Sequence, residues 1–289
     1  IFKELVTDSP ETMTALGLDQ TPKGSWAKEL LDDRSLEAQE KDIDRSDRWL
    51  RLLNGVERRD LSGMDRVNYD SVRFQFALDA EAARRFPYGI RGVPKPYVVS
   101  QQNGAYQDIP DLLRSQHSIA TEADAQAYLK RLTAFAGALD QETHQIDHDA
   151  TKGIYPPSFI IDRTVALLRQ IREGRAKDSE LVSSLEERAA AAGLSGDWGA
   201  NASTIVAQEV FPALDRQIAA LARLKSQASS DGGVWRFPEG DKYYAFALRY
   251  YTTTDLTADQ IHQMGLEQVD KISAEIDRIL TAQGMVDGT

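Results

Sequence analysis

Cysteine is absent from this 289-residue chain, so no disulfide, thiolate metal ligand or cysteine nucleophile can be built from it. Proline is scarce: the ten residues gather mainly between Pro87 and Pro110 and at Pro156-Pro157, leaving the stretches between them free to be helical. No apolar run approaches the roughly 20 residues that span a bilayer. Positive charge is in deficit, with 34 Lys and Arg against 45 Asp and Glu and a formal net charge of -11. No basic stripe for phosphate survives among the neighbouring acids, which excludes nucleic acid as a partner class and disfavours a polybasic membrane contact. An initiator Met is also missing: the sequence starts at Ile1, which fits removal of a signal peptide or lipoprotein leader and suggests a periplasmic or lipoprotein-anchored setting.

What is present is ordinary globular material, 42% hydrophobic and 27% charged, so disorder is not a serious reading. Apolar residues recur at helical spacing over most of the chain. Ser9-Pro10-Glu11 reads as a helix start, a side-chain cap followed by proline at the first helical position. Trp26, Leu30, Leu31, Leu36, Ile43, Trp49, Leu50 and Leu53 predict a long helix or two collinear ones. Ser62 to Arg85 predicts another, with Val67, Phe74 and Leu78 inward. Thr121 with Asp124 three residues on resembles a capping box, and Tyr128, Leu132, Phe135 and Leu139 mark one face of the helix behind it. Pro157 opens a helix carrying Ile161, Val165, Leu168 and Ile171, and Ser179 to Ala192 forms a shorter one. Gly193 to Asn201 reads as a glycine-rich loop. Ser203 or Thr204 then starts a helix with Val210, Leu214, Ile218 and Leu221 inward and Pro212 placed to kink it. Thr257 caps the last helix, whose stripe is Ile261, Met264, Val269, Ile272, Ile276 and Ile279.

Two segments break the period. Residues 86–110 hold Gly89, Gly92, Pro94, Pro96, Gly104 and Pro110 around Tyr97-Val98-Val99, and residues 229–241 hold Gly232-Gly233, Trp235, Pro238 and Gly240. The predicted architecture is all-α, one helical region over residues 1–289, with short irregular or extended segments near 86–110 and 229–241 placed to line a cleft.

His144-Gln145-Ile146-Asp147-His148 is the sharpest chemical signal. Histidines at i and i+4 share one helical face, as zinc requires. Position 145 is Gln, however, which cannot take a proton from a metal-bound water, and a third ligand such as Glu142 or Asp147 would have to turn inward. A solvated polar helix end explains the cluster more cheaply, so no metal ligand and no catalytic residue is assigned in this chain. His117 and His262 stand alone and suit capping or surface roles. No nucleophile elbow, P-loop or dinucleotide fingerprint occurs. Asn201-Ala202-Ser203 matches a glycosylation acceptor but is explained more simply as a helix cap.

The irregular segments remain. Gln102, Asn103 and Gly104 offer amide donors and acceptors beside a glycine that lets backbone approach a ligand. Trp235-Arg236-Phe237-Pro238-Glu239-Gly240 followed by Lys242-Tyr243-Tyr244 groups aromatic walls with charged tips. Gln102, Asn103 and Gly104 are the candidates for holding peptide backbone, and Tyr243 or Tyr244 for facing a cleft. The plainer alternative makes both segments packed connectors between helices.

Several stretches together resemble a bacterial family, the "domain of unknown function 885" proteins, zincin-like and taken to be metallopeptidases. They are Ser9-Pro10-Glu11 with Gly17; Val99-Ser100-Gln101-Gln102-Asn103-Gly104; Ala123-Asp124-Ala125-Gln126-Ala127-Tyr128-Leu129 with Gly153-Ile154-Tyr155-Pro156-Pro157; and Phe237-Pro238-Glu239-Gly240-Asp241-Lys242-Tyr243-Tyr244 with Tyr251-Thr252-Thr253-Thr254-Asp255-Leu256-Thr257 and Ile261-His262-Gln263-Met264-Gly265. Their order covers essentially the whole chain. The resemblance implies a mainly helical zincin-like fold about twice this length, with this chain as its amino-terminal half. It also implies a zinc signature of a His-Glu pair followed by Pro-Gly-His in the other half, to which no residue here corresponds. The implied function is the substrate-cleft half of a zinc peptidase acting on peptides, with zinc held in the complete protein and the carboxy-terminal half as partner. A stand-alone helical binding or scaffold protein is the alternative, and the length of the natural reading frame separates the two.

Overall fold

The computed structural model describes residues 1–90 and 92–285. No β-strand forms among them; the only ladder-like contacts are isolated bridges, Ile90 with Lys95 and Ser100 with Asn103. The chain divides into two compact units, Ile1–Gly232 and a second that begins at Gly233.

In the first unit, α1 (Phe2–Thr7) and α2 (Pro10–Ala15) open the chain. The Ser9 hydroxyl accepts from the Thr12 amide at 3.0 Å, so the predicted cap forms. The long helix expected from Trp26 onward does not. Ser25–Glu29 is a single 3-10 turn and α3 (Leu36–Asn54) starts only after Ser35. Side chains capture the backbone between them: the Asp32 amide donates to Glu11 and the Arg34 amide to Gln141. Those N–H groups are lost to a helix, and tertiary contact overrides periodicity.

Helix α4 (Gly63–Arg85) returns alongside α3. Arg84 meets Asp47 and Arg73 meets Asn54, so positions rise on one helix as they fall on the other and the pair is antiparallel. Leu78 is buried as expected and Phe74 half-buried, but Val67 is 55% exposed. After an irregular run, α5 (Ala105–Asp111) begins earlier than the composition of residues 86–110 suggested, and a π-turn at Leu112–Gln116 follows it.

Helix α6 (Glu122–Ala150) is the centre of the unit. The capping box is real: Thr121 accepts from the Asp124 amide, and the Asp124 carboxylate accepts from the Thr121 amide at 3.0 Å. Tyr128, Leu132, Phe135 and Leu139 are all fully buried, each contributing roughly 1.5–3 kcal/mol by leaving water. Around α6 pack α8 (Glu180–Ala191), α9 (Trp198–Ile205) and α10 (Phe211–Lys225), and α7 (Ser158–Arg172) packs against α10. Arg216 pairs with Asp140 and Arg223 with Asp147; a seven-residue step on each side makes α6 and α10 parallel. Arg172 with Asp215 and Lys225 with Asp162 make α7 and α10 antiparallel.

The helix expected from Ser203 or Thr204 starts instead at Trp198, and Asn201 and Ser203 lie inside it rather than capping it. Glycine misled the reading: Gly199 sits in the first turn, where a Cβ would come within 2.8 Å of the Glu186 carboxylate. Pro212 falls in the first turn of α10, directly after a π-turn at Val206–Val210. The wider turn absorbs the missing proline N–H without ending the helix.

A buried arginine binds the N-terminal segment to α6, and a buried histidine braces it. Arg131, with no exposed surface, donates to the carbonyls of Leu30 and Ala27, to the Thr14 hydroxyl and to Nδ1 of His117. His117 is therefore an interior residue rather than a surface or cap histidine, its Nε2–H directed to the Asp124 carbonyl at 3.0 Å. Burial, reinforced by the Arg131 and Arg188 charges, lowers its pKa to about 4, so it is neutral and accepts from Arg131.

The second unit contains a 3-10 turn at Val234–Arg236, α11 (Gly240–Thr252) and α12 (Ala258–Ala282). Phe237, Tyr243 and Phe246 are buried, and the Phe237 and Tyr243 rings meet edge-on at 6.2 Å. Glu239 and Thr253, flanking α11, both hold left-handed backbone. Thr257 and Gln260 complete a second capping box at the head of α12.

Candidate functional site

The chain between α2 and α3, the first turns of α3, the irregular run before α5, and the middle of α6 border an open cavity of about 450 Å³. The sequence positions its walls in three steps. Glu11, in the first turn of α2, clamps Arg34 with two charge-assisted bonds of 2.7 and 3.0 Å, and Arg34 carries Asp32 and Asp33 with it to the cavity edge. The Asp149 carboxylate accepts from the Gly89 amide at 2.8 Å, and the Gln145 amide donates to the Gly89 carbonyl, which fixes the start of the irregular run on α6. At the other end of that run Oε1 of the Glu142 carboxyl accepts from the Ala105 amide at 2.8 Å, at the first residue of α5.

Gln102, Asn103 and Gly104 all line this cavity, but they play different parts. Asn103 is consumed by its own turn: its amide donates to the carbonyls of Tyr97 and Val98, and its Oδ1 accepts from the Ser100 hydroxyl. Gly104 has φ +137°, and a Cβ there would press on the Tyr106 ring at 3.1 Å, so its conformation and packing require glycine whether or not a ligand approaches. Gln102 is exposed, and its side-chain amide has no hydrogen-bond partner among the described residues. Of the three, it is the one with donors and acceptors to offer. Tyr243 and Tyr244 belong to the second unit; Tyr243 is buried, and Tyr244 is 49% exposed.

The electrostatics of the cavity are unbalanced. Among the described residues, Asp32, Asp33, Asp42, Asp108 and Glu142 face it with only Arg34 and Lys95 in opposition. Burial pushes Glu142 up to about 7, with the Arg34 guanidinium at 3.6 Å pulling the other way and losing. Arg34 is raised against the opposing effect of burial, because Glu11 holds its fork and the Glu142 and Asp32 charges add to the pull. Asp108 is also raised by burial, Arg34 opposing from 3.9 Å. Asp32 is raised by burial and by the Glu11 charge. Lys95 forms no ion pair among the described residues, and Asp108 keeps its carboxylate more than half exposed. The arrangement can take up a cation against its carboxylates, an anion on Lys95, and an amide on Gln102.

The sequence offered a signal for part of this site that composition alone conceals. Tyr128, Leu132, Phe135 and Leu139 step by four, three and four; continuing by three, four and three gives Glu142, Ile146 and Asp149. Two carboxylates therefore stand at core positions of α6, and both serve the irregular run. Asp32, Asp33, Arg34, Lys95 and Asp108 carry no such signal, because contacts distant in sequence bring them together.

No metal centre is assembled from the histidine pair. Among the described residues no group of three or more His, Cys, Asp or Glu side chains is placed to hold an ion. His144 is exposed, His148 bonds Asp149 at 3.2 Å, Asp147 is held by Arg223, and Glu142 faces Ala105. The donor set does not fit zinc. His262 is exposed on α12.

The family profile described as "Bacterial protein of unknown function (DUF885)" matches residues 10–289. Among solved structures, "The crystal structure of the putative lipoprotein from Colwellia psychrerythraea" superposes with a TM-score of 0.86 at 24% sequence identity, over 99% of this chain and 50% of that one. At that identity the likeness is one of fold. The chain spans half the length of this solved relative. Among curated proteins nothing matches. No helix among the described residues is long and apolar enough to cross a membrane.

Proposed function

The chain belongs to the DUF885 family of bacterial proteins, and from that footing we propose that it is the substrate-cleft half of a peptidase, holding a short peptide in the cavity beside Gln102. The observation that carries the reading is the set of groups left over there once the fold has used the rest. Gln102 can bond a peptide amide in both directions. Asp108, in a crowd of carboxylates raised by burial and mutual repulsion, is relieved by a peptide ammonium. Lys95 is available for a carboxylate. A short peptide with free ends carries these three groups.

The residues of this chain bind and orient in such a reaction; they do not activate water. Zinc in the complete protein, as the family resemblance implies, would polarise the scissile carbonyl and supply the nucleophile. Among the described residues no group of three or more potential ligands is placed to hold an ion, and this reading assigns no hydrolytic step to this chain. The description of the solved relative as a lipoprotein supports a periplasmic or lipoprotein-anchored setting, which fractionation of cells would check.

Calorimetric titration with unblocked trialanine and with its N-acetylated form tests the reading. Gln102→Ala is expected to weaken binding of both peptides about tenfold, the ~1.4 kcal/mol of one lost hydrogen-bonding group. Asp108→Asn is expected to weaken only the peptide with a free amino group. Binding of neither peptide at millimolar concentration, or binding indifferent to both substitutions, would remove the proposal.

A further inference from the structure

Helix α12 is amphipathic in sequence and bare in structure. Its 25 residues make a rod roughly 37 Å long. Met264, Val269, Ile272, Ile276 and Ile279 are 53, 60, 54, 49 and 48% exposed. At 100° per residue they fall on one stripe, with Glu267, Asp270, Ala274 and Asp277 on the opposite side. No residue of α12 is buried. A continuous apolar stripe of this length, bounded by charge, is the signature of a face built to be covered.

What covers it is indicated by length. The solved relative shares its fold over 99% of this chain and has as much again outside the shared part. A polypeptide of that size packed against this chain would bury apolar surface on it, and α12 offers five exposed apolar side chains along one side of a 25-residue helix. From these observations we infer that the apolar stripe of α12 is the surface on which the remaining half of the longer family protein docks. The inference rests on the reading of this chain as one half of a larger protein, and it deepens that reading by naming the surface of contact.

Because the chain has no cysteine, single thiols can be placed on it cleanly. Ile272→Cys and Ile276→Cys sit on the stripe, and Ala274→Cys sits opposite. Each is labelled with a maleimide and the rate read at its own peptide by mass spectrometry. The measurement is made in this chain and in the protein expressed from its full reading frame, with circular dichroism melting to show that each variant is folded. All three positions are expected to label at similar rates in this chain. In the longer protein, positions 272 and 276 are expected to slow at least tenfold while 274 is unchanged. Equal labelling of all three in the longer protein overturns the inference, and so does a reading frame that encodes no further half. Protection of 272 and 276 in this chain alone overturns it too; if that protection grows with concentration, a second copy is the occupant. No peptide enters the measurement, so a failure of peptide binding at the cavity leaves its outcome untouched, and the converse holds.

Discussion

Helices α6 and α12 begin alike and end up in opposite environments. Both open on a threonine capping box, Thr121 with Asp124 and Thr257 with Gln260, and both run for more than 20 residues with an apolar stripe. Yet the stripe of α6 is fully buried from Tyr128 to Leu139, whereas nothing on α12 is buried. The comparison separates two kinds of information. Caps and periodicity specify a helix and the side of it that avoids water. They do not say whether the partner for that side lies within the same chain.

The largest test of the contrast removes equivalent bulk from each stripe. Leu132→Ala on α6 is expected to destabilise the first unit by about 3–5 kcal/mol, since it leaves a cavity among side chains that cannot collapse. Ile276→Ala on α12 is expected to change stability by less than about 0.5 kcal/mol. Urea denaturation of both variants checks the pair, and equal losses would erase the distinction.

A second test uses the ionisable groups that α6 and its neighbours bury. Glu142 has its folded pKa raised from 4.5 to about 7, chiefly by burial. Its contribution to stability is complete below pH 4.5 and is lost as the pH rises through about 7. His117 is shifted the other way, from 6.5 to about 4, so its contribution is complete above pH 6.5 and is lost as the pH falls through about 4. Over the same acidic range the two oppose each other and flatten the profile. Glu142→Gln keeps a neutral acceptor for the Ala105 amide and puts an NH₂ group where Oε2 accepts from Gln217 Nε2, so the Gln217 amide turns to bring its unpartnered oxygen to that group. The variant is expected to exceed the wild type at pH 8 by about 1–3 kcal/mol. It should then lose stability on acidification from pH 6.5 to 4, where the wild type stays level. Melting temperatures across that range decide it, and a variant with an unchanged profile would show that Glu142 is not held protonated by its burial.

The smallest effect concerns the caps. Thr121→Ala is expected to cost about 1 kcal/mol of global stability, because unwinding the head of α6 loosens the core. Thr257→Ala removes the same kind of bond but should leave the denaturation midpoint of the first unit unmoved and only fray α12. Equal shifts from the two substitutions would mean that α12 is already part of the cooperative core.

Read from particular residues, the sequence carried the helices well and the site poorly. Ser9, Thr121, Ser179 and Thr257 each mark a helix start that exists, because capping is local chemistry between residues two to four apart, and Pro157 marks another through its fixed φ without a side-chain cap. The helix expected from Trp26 onward failed where Glu11 and Gln141 capture backbone amides from far along the chain. The same holds for the cavity. Gln102, Asn103 and Gly104 were legible as an amide-rich turn, yet only the folded chain shows that Asn103 is spent on Tyr97, Val98 and Ser100 while Gln102 is not. Lys95 and Asp108 were invisible for want of any local pattern. Glu142 was legible in principle, as a carboxylate at a core position, and was obscured by its neighbour His144.

Hydrogen exchange of this chain, followed by mass spectrometry under native conditions, tests the central contrast most directly. Peptides covering α6 from Tyr128 to Leu139 are expected to exchange only through global unfolding, and peptides covering α12 to exchange orders of magnitude faster through local opening. In the longer protein the α12 peptides should slow toward the rate of α6. Protection of α12 in this chain equal to that of α6 would contradict the account, because it would mean that the bare helix already has its partner.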